Sequence, residues 1–209
     1  MEPFRQITGV VLPLDRVNVD TDSIVPARFL KRIEREGWAE ALFHDWRYRP
    51  DGSPDPRFEL NQPGYENARI LAAGRNFGSG SSREHAVWAI RQYGFRAVIA
   101  SSLGEIFHKN CFENGLVPVL LPEARVQELM RRAKEGPALL LTVDLERCEV
   151  SDGAGIRWPF VVHRDPETHE FRRHTLLNGL DEIALTLAHS DDISSFEAKR
   201  PRWLEPAKS

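Results

Sequence analysis

Apolar residues along this chain fall into short runs set between polar stretches, and two rhythms alternate. Residues 6–15, QITGVVLPLD, form a β-branched apolar run that ends around Pro13, which predicts a buried strand followed by a loop through RVNVDTDSIVP. Further along, ARILAAG, FRAVIAS and LVPVLL are compact apolar runs of strand length. Between them, REHAVWAIRQYG and EIFHKNCFENG read as helices closed by Gly94 and Gly115 as left-handed caps. Strand, helix, strand, helix, strand in that order predicts parallel neighbours joined by right-handed crossovers.

The flanking segments are less regular. From Pro26, PARFLKRIEREGWAEALFHDWRY predicts a short helix with Pro26 at its first position and Gly37 as its stop. A loop or second helix carrying Trp38, Phe43 and Trp46 follows. RPDGSPDPRFELNQPGYENA is dense in Pro, Gly, Asn and Asp and reads as a surface loop. After Pro122, EARVQELMRRAKEG is a charged helix, and LLLTVDLERCEVSDGAGIRWPFVV reads as two or three strands with a hairpin turn at SDGAG. The remainder, HEFRRHTLLNGLDEIALTLAHSDDISSFEAKRP, is helical with a break at Asn178-Gly179. No repeat or low-complexity tract interrupts this order. The expected fold class is α/β: one domain over residues 1–209, a mixed and largely parallel sheet with helices on both sides, and a C-terminal helical segment over about 165–209.

Composition narrows the function classes. The 209 residues carry a net charge of −3 with both signs interspersed, so no nucleic-acid-binding field is expected. The first apolar run, Ile7 to Leu14, is short, contains Pro13, and lacks a basic start and a small-residue cleavage site. It is expected to be neither a signal peptide nor a membrane span, and a cytoplasmic chain is the expectation. Two cysteines, Cys111 and Cys148, are too few for a disulfide framework or for the three or four thiolates of an iron–sulfur cluster. Cys111, between Phe107 and Phe112, reads as a packing residue. His163, His169 and His174 match no zinc spacing, so no metal site is expected.

The densest chemistry lies in residues 74–90, GRNFGSGSSREHAVWAI, between the end of a predicted strand and the start of a predicted helix. Open α/β sheets bind ligands at that position. Gly78 and Gly80 permit backbone angles that bring N–H groups close to an anion, and the helix N-terminus favours negative charge. Arg83, expected in the first helical turn, opposes the macrodipole preference for acids there and reads as a carboxylate clamp. Ser81 and Glu84 have the spacing of a capping box, which explains those two without a ligand but leaves Ser79, Ser82 and Arg83. His85 on the helix reads as a satisfied core histidine. The run lacks the closing glycine of a hydrolase elbow, has Arg83 where a dinucleotide fingerprint needs glycine, and holds no Gly-Lys-Ser or Gly-Lys-Thr. What remains is an anion-binding turn in which a serine beside a guanidinium and a helix N-terminus could act as a base on carbon.

NFGSGSSREHA resembles the signature of the swivelling domain of the aconitase superfamily. The resemblance extends over nearly the whole chain to the family of bacterial 3-isopropylmalate dehydratase (isopropylmalate isomerase) small subunits. It is carried by VVLPLDRVNVDTDSIVPARFL, ALFHDWRY, YGFRAVIASSLGEIFHKNCFENGLVPV and FRRHTLLNGLDEIALTL. It implies a three-layer β/β/α swivelling domain that closes over a large partner subunit, with a [4Fe-4S] cluster in that partner and no cofactor bound by this chain. The implied reaction interconverts 2-isopropylmalate and 3-isopropylmalate through isopropylmaleate in leucine biosynthesis. By the same resemblance Ser81 is the catalytic base, Ser82 and Arg83 contact the dicarboxylate substrate, and Thr21 and Asp22 stand near it. Phe29 and Leu30 fall in the region that varies with substrate and are candidates for an apolar wall. Thr21 and Asp22 also read as a simple turn into the next helix. Ser79 stands where most relatives carry Cys. Two alternatives remain on sequence: the small subunit of a related hydro-lyase of citramalate or homoaconitate type, and a non-catalytic dicarboxylate-binding module.

Overall fold

The computed structural model describes residues 1–32, 34–80, 83–135 and 139–199. The first apolar run forms β1 (Gln6–Leu14), and β1 is the strand on which the sheet is assembled. On one side it pairs in parallel with β2 (Ile70–Ala73), followed by β3 (Ala97–Ala100) and β4 (Val117–Leu120). On the other it pairs antiparallel with β5 (Leu140–Asp144), then β6 (Glu149–Ser151) and β7 (Arg157–Pro159). The seven-stranded order is β4-β3-β2-β1-β5-β6-β7, a parallel half and an antiparallel half joined through β1. The hairpin turn between β6 and β7 is closed by Asp152, whose carboxylate accepts from the N–H groups of Ala154 (2.8 Å) and Ile156 (2.7 Å).

The period of two along the strands sorts side chains onto two cores. Leu71 and Ala73 of β2 and Val98 of β3 face a cluster with Ala86, Val87, Ala89 and Ile90 of the helix after β2. Ile70, Ala72, Ala97 and Ile99 face a second cluster with Val126, Leu129, Met130 and Ala133. Strands buried on both faces explain the continuous apolar runs in the sequence. The helices are α3 (Glu84–Tyr93) and α4 (Glu105–Glu113), which connect the parallel strands, and α5 (Glu123–Glu135), which leads from β4 to β5. Gly94 and Gly115 follow α3 and α4 with positive φ, as expected of caps.

The segment between β1 and β2 departs from expectation. The loop after β1 contains a one-turn helix, α1 (Thr21–Ile24), because the Asp20 carboxylate caps it by accepting from Ser23 N at 2.7 Å. The helix expected from Pro26 is a 3-10 turn over Ala27–Lys31 that Pro26 precedes. Gly37 (φ +83) precedes a second 3-10 turn, Trp38–Ala41, instead of ending the first. A short α2 (His44–Arg47) follows. The Pro- and Gly-rich stretch is not merely surface loop: Phe58, Leu60 and Tyr65 are buried, and the Tyr65 hydroxyl donates to Ala133 O at 2.8 Å. Apolar anchors at irregular spacing give no periodic signal, yet they pin this stretch to the core.

Of the C-terminal segment expected to be helical, Pro166–Asn178, Glu182–Leu187 and Ser190–Ala198 are helical, and residues 200–209 lie outside the described residues. These helices are α6 (Pro166–Asn178), capped by Asp165 on Thr168 N and followed by Gly179 (φ +66), then α7 (Glu182–Leu187) and α8 (Ser190–Ala198). Among the described residues no helix is long and apolar enough to cross a membrane.

His108 on α4 ties that helix to the strand region. Its Nε2 lies 2.6 Å from Val162 O, so Nε2 carries the proton, and its ring stacks on His163 with centroids 5.4 Å apart. Burial pulls its pKa down to about 4, and nearby His163 and Arg172 push the same way. The folded protein therefore binds fewer protons than the unfolded chain between about 4 and the ordinary value of 6.5. The stability this neutral ring supports is complete above 6.5 and is lost as pH falls towards 4. Thermal melts from pH 7 to pH 4.5 are expected to fall more steeply for the parent than for His108→Gln, which keeps a donor for Val162 O without titrating. Parallel slopes would exclude His108 as a source of the acid sensitivity.

Candidate functional site

Three loops leave the C-terminal ends of β1, β2 and β3 side by side, and the serine-rich turn is the middle one. From the β1 side, Val19 O accepts from both Gly78 N (2.7 Å) and Ser79 N (3.1 Å), Asn18 N donates to Arg75 O (2.9 Å), and Thr21 N donates to Ser79 O (3.0 Å). From the β3 side, Ser102 Oγ accepts from Asn76 N (2.9 Å), Ser102 O accepts from Phe77 N (3.3 Å), and Gly104 N donates to Phe77 O (2.8 Å). The turn is thus stitched on both edges by backbone hydrogen bonds, which fixes it without regular secondary structure.

Two glycines are dictated by close approach. Gly78 has φ +75, and a Cβ there would stand 2.2 Å from Cγ of Phe107. A Cβ on Gly104 would stand 2.4 Å from Gly78 O. Phe107 in turn packs edge-on against Phe77 at 5.3 Å. The apolar start of α4 therefore forms the floor beneath the turn.

The stitching brings Asp22 to Arg83. The two form an ion pair through Nη1, with the Arg83 side chain 20% exposed and that of Asp22 52% exposed. Thr21, next to it, is buried. Arg83 does not lie within the first helical turn as expected. It is the extended residue (φ −124, ψ 99) immediately before α3, with no side-chain cap bond. Consequently Glu84 is the first helical residue and not the third, so the capping-box register does not hold. Its Oε1 accepts instead from Asn114 Nδ2 at 2.9 Å. Ser81 and Ser82 lie outside the described residues.

The remaining expected residues separate into two groups. His85 is wedged between Trp38 (4.6 Å) and Trp88 (4.7 Å), and burial lowers its pKa, which fits a neutral packing histidine. Phe29 and Leu30 lie on the Ala27–Lys31 turn, half-buried against the core. The Phe29 ring meets His44 at 4.9 Å and lies under the guanidinium groups of Arg28 and Arg32. The hydrogen bonds that join Thr21 to the serine-rich turn do not reach Phe29 or Leu30, so the described geometry brings Arg83, Asp22 and Thr21 together and leaves those two on the neighbouring element.

Sequence reasoning does not single out Ser102 or Asn114. Ser102 had one available signal: it directly follows the predicted parallel strand FRAVIAS, the same position the serine-rich turn occupies. Ser101, Ser102, Arg75, Glu123 and Arg164 line an open cleft of about 440 Å³ beside the turn.

The cysteines do not make a metal or cluster centre. Cys111 is fully buried in the core that holds α3, where burial pushes its thiol pKa up. Cys148 packs against the opposite core, with its sulfur 3.4 Å from Leu145 O and 3.8 Å from His169 Nε2. The two thiols face different sides of the sheet, and the chain has no others.

The chain matches the family model of the aconitase C-terminal domain over residues 1–124 and LeuD_N over 127–163. Residues 182–204 match the model of the C-terminal domain of 3-isopropylmalate dehydratase small subunits. Curated relatives described as 3-isopropylmalate dehydratase small subunits are similar end to end. That of Brevibacillus brevis is 52% identical, covering 96% of this chain and 100% of its own. That of Methylibium petroleiphilum is 52% identical, covering 96% and 94%. That of Bacillus subtilis is 49% identical, covering 98% and 100%. Among solved structures, a 3-isopropylmalate dehydratase from Methanocaldococcus jannaschii superposes with a TM-score of 0.62 at 23% identity, over 92% of this chain and 99% of that one, which shows a common fold.

Substituting Gly78 tests the floor of the turn. Gly78→Ala forces a Cβ into Phe107 at positive φ and is expected to cost about 2–4 kcal/mol in urea unfolding. Adding Phe107→Ala is expected to cost less than the sum of the two single changes, because the clash is gone. Strict additivity would show that the turn does not rest on Phe107.

Proposed function

The chain belongs to the 3-isopropylmalate dehydratase small-subunit family of the aconitase superfamily, and from that membership we propose how its strand-end turn serves the reaction. It is a hydro-lyase subunit of leucine biosynthesis that works with a large subunit. The substrates are 2-isopropylmalate and 3-isopropylmalate, interconverted by loss of water to isopropylmaleate and its return with hydroxyl and hydrogen exchanged between adjacent carbons.

The observation that carries the reading is the ion pair between Arg83 and Asp22 at the edge of the turn. A guanidinium presents several N–H groups in a planar fork. Asp22 engages Nη1 and orients the fork, which suits Arg83 to receive a substrate carboxylate on its remaining N–H groups. Ser81, which follows Gly80 and precedes Ser82 and Arg83 in the chain, is the base: as an alkoxide it takes the proton from substrate carbon and later returns it to the adjacent carbon. Positive charge on Arg83 and the start of α3 favour that alkoxide. Ser82 contacts the substrate beside it, and Thr21 supports the loop that carries Asp22. Phe29 and Leu30 supply apolar surface for the isopropyl group.

The [4Fe-4S] cluster belongs to the large subunit in this reading, since this chain's two thiols face opposite cores. There it supplies a Lewis acid for the departing and returning hydroxyl. Residues 1–209 act as one swivelling domain, with the helical segment over about 165–209 as part of it, in the cytoplasm.

Steady-state assays of the assembled two-subunit enzyme test both roles. Ser81→Ala is expected to lower kcat by about 10²–10⁴ while the subunits still assemble. Near-normal turnover would remove Ser81 from the base role. Arg83→Lys keeps the charge but loses the fork, and is expected to raise KM about tenfold. An unchanged KM would show that Arg83 does not hold a carboxylate.

A further inference from the structure

We propose that Asn114 is a positioning residue for the anion-binding turn, acting by fixing the first residue of α3 so that Arg83 is presented to substrate. This rests on the reading of Arg83 as the carboxylate clamp.

Asn114 lies just past the end of α4, remote in sequence from the turn, and its side chain is used at every polar atom. Oδ1 accepts from Trp88 Nε1 at 2.9 Å, while Nδ2 donates to Glu84 Oε1 at 2.9 Å and to Asn110 O at 2.9 Å. Its backbone carbonyl accepts from Arg91 Nε at 3.1 Å. The amide orientation is fixed by chemistry: the indole nitrogen can only donate, and the carboxylate and carbonyl can only accept. The side-chain amide thereby grips α3 at its first residue and one turn further on, the backbone carbonyl holds Arg91 near the helix end, and all three are anchored to α4.

The grip on Glu84 has a consequence for Arg83. Glu84 is the carboxylate adjacent to Arg83 in the chain, and its charge is favourable at a helix start. With its Oε1 held by Asn114, that carboxylate is drawn towards α4. The guanidinium of Arg83 pairs across the turn with Asp22 instead. Loss of the amide donors would free Glu84 to compete for Arg83 and let the helix start shift. Misplacement of a binding group by about 1 Å can cost on the order of 10²-fold in rate.

A swap of donor and acceptor separates positioning from plain structural support. Asn114→Asp removes both Nδ2 donors and sets a carboxylate against Glu84. In the enzyme assembled with its large subunit, kcat/KM for 3-isopropylmalate is expected to fall about 10- to 100-fold. Adding Glu84→Gln restores a donor facing the introduced carboxylate and is expected to recover most of that loss. An Asn114→Asp enzyme within twofold of the parent, or a double variant no better than the single, would overturn the proposal, whatever the change in melting temperature. Should Asn114→Asp fail to fold, Trp88→Phe removes the indole N–H together with part of the ring that packs on Trp38 and His85. It is expected to lower the melting temperature and also kcat/KM about threefold, and an unchanged kcat/KM overturns the proposal equally. Arg83→Lys run in parallel distinguishes the two readings. A raised KM there with no effect of Asn114→Asp leaves the clamp standing and removes Asn114. An unchanged KM in Arg83→Lys removes the clamp and, with it, the role proposed for Asn114.

Discussion

One backbone carbonyl, Val19 O, accepts from two successive N–H groups of the serine-rich turn, Gly78 and Ser79, and the candidate site depends on that junction. It carries the loop after β1 onto the loop after β2, so that Asp22 reaches Arg83 although the two are far apart in sequence. Parallel pairing of β1 with β2 makes the junction possible, because both loops then leave the same edge of the sheet. Asn18 and Thr21 flank the junction with further bonds to Arg75 and Ser79, so the whole β1-side edge of the turn is paired.

The price of such a turn is irregular backbone, and the fold offsets it by burial beneath. Asn18 and Asn76 sit at positive φ, and Gly78 and Gly80 do as well. A side-chain hydrogen bond from Asn76 to Asn18 (3.0 Å) holds the two loops in register, and the Phe77–Phe107 pair seats the turn on α4. Asn and Gly are the residue types that tolerate such angles at least cost. The helices contribute by placement: α3 begins where the turn ends, and α4 provides both the aromatic floor through Phe107 and the amide of Asn114 at its far end.

What could be read from sequence follows from how local each signal is. The runs ILAA, AVIA and VPVL, with the capped helices between them, declare themselves because a strand buried on both faces must be apolar throughout. The Gly78–Gly80 turn was legible for the same reason, since its demands are those of a single loop. Resemblance to the aconitase superfamily then supplied the relation of Thr21 and Asp22 to the turn, which residue spacing alone could not. The stretch between β1 and β2 was not legible, because Trp38, Phe58, Leu60 and Tyr65 are anchored by distant partners and follow no period. Trp38, for example, is held by Gln92 of α3, whose Oε1 accepts its N–H at 2.8 Å. The capping box at Ser81 and Glu84 misled because its register assumes that the helix begins earlier, whereas Arg83 is still extended. Asn114 was invisible because its role lies in three partners brought together only by folding.

The most direct test of the pairing at the centre of the site is a structure of the two-subunit enzyme with 3-isopropylmalate bound. The geometry predicts a substrate carboxylate oxygen within about 3 Å of an Arg83 guanidinium nitrogen, with Asp22 still beside that side chain. Substrate carboxylates held wholly by groups of the large subunit, with Arg83 turned away, would contradict it.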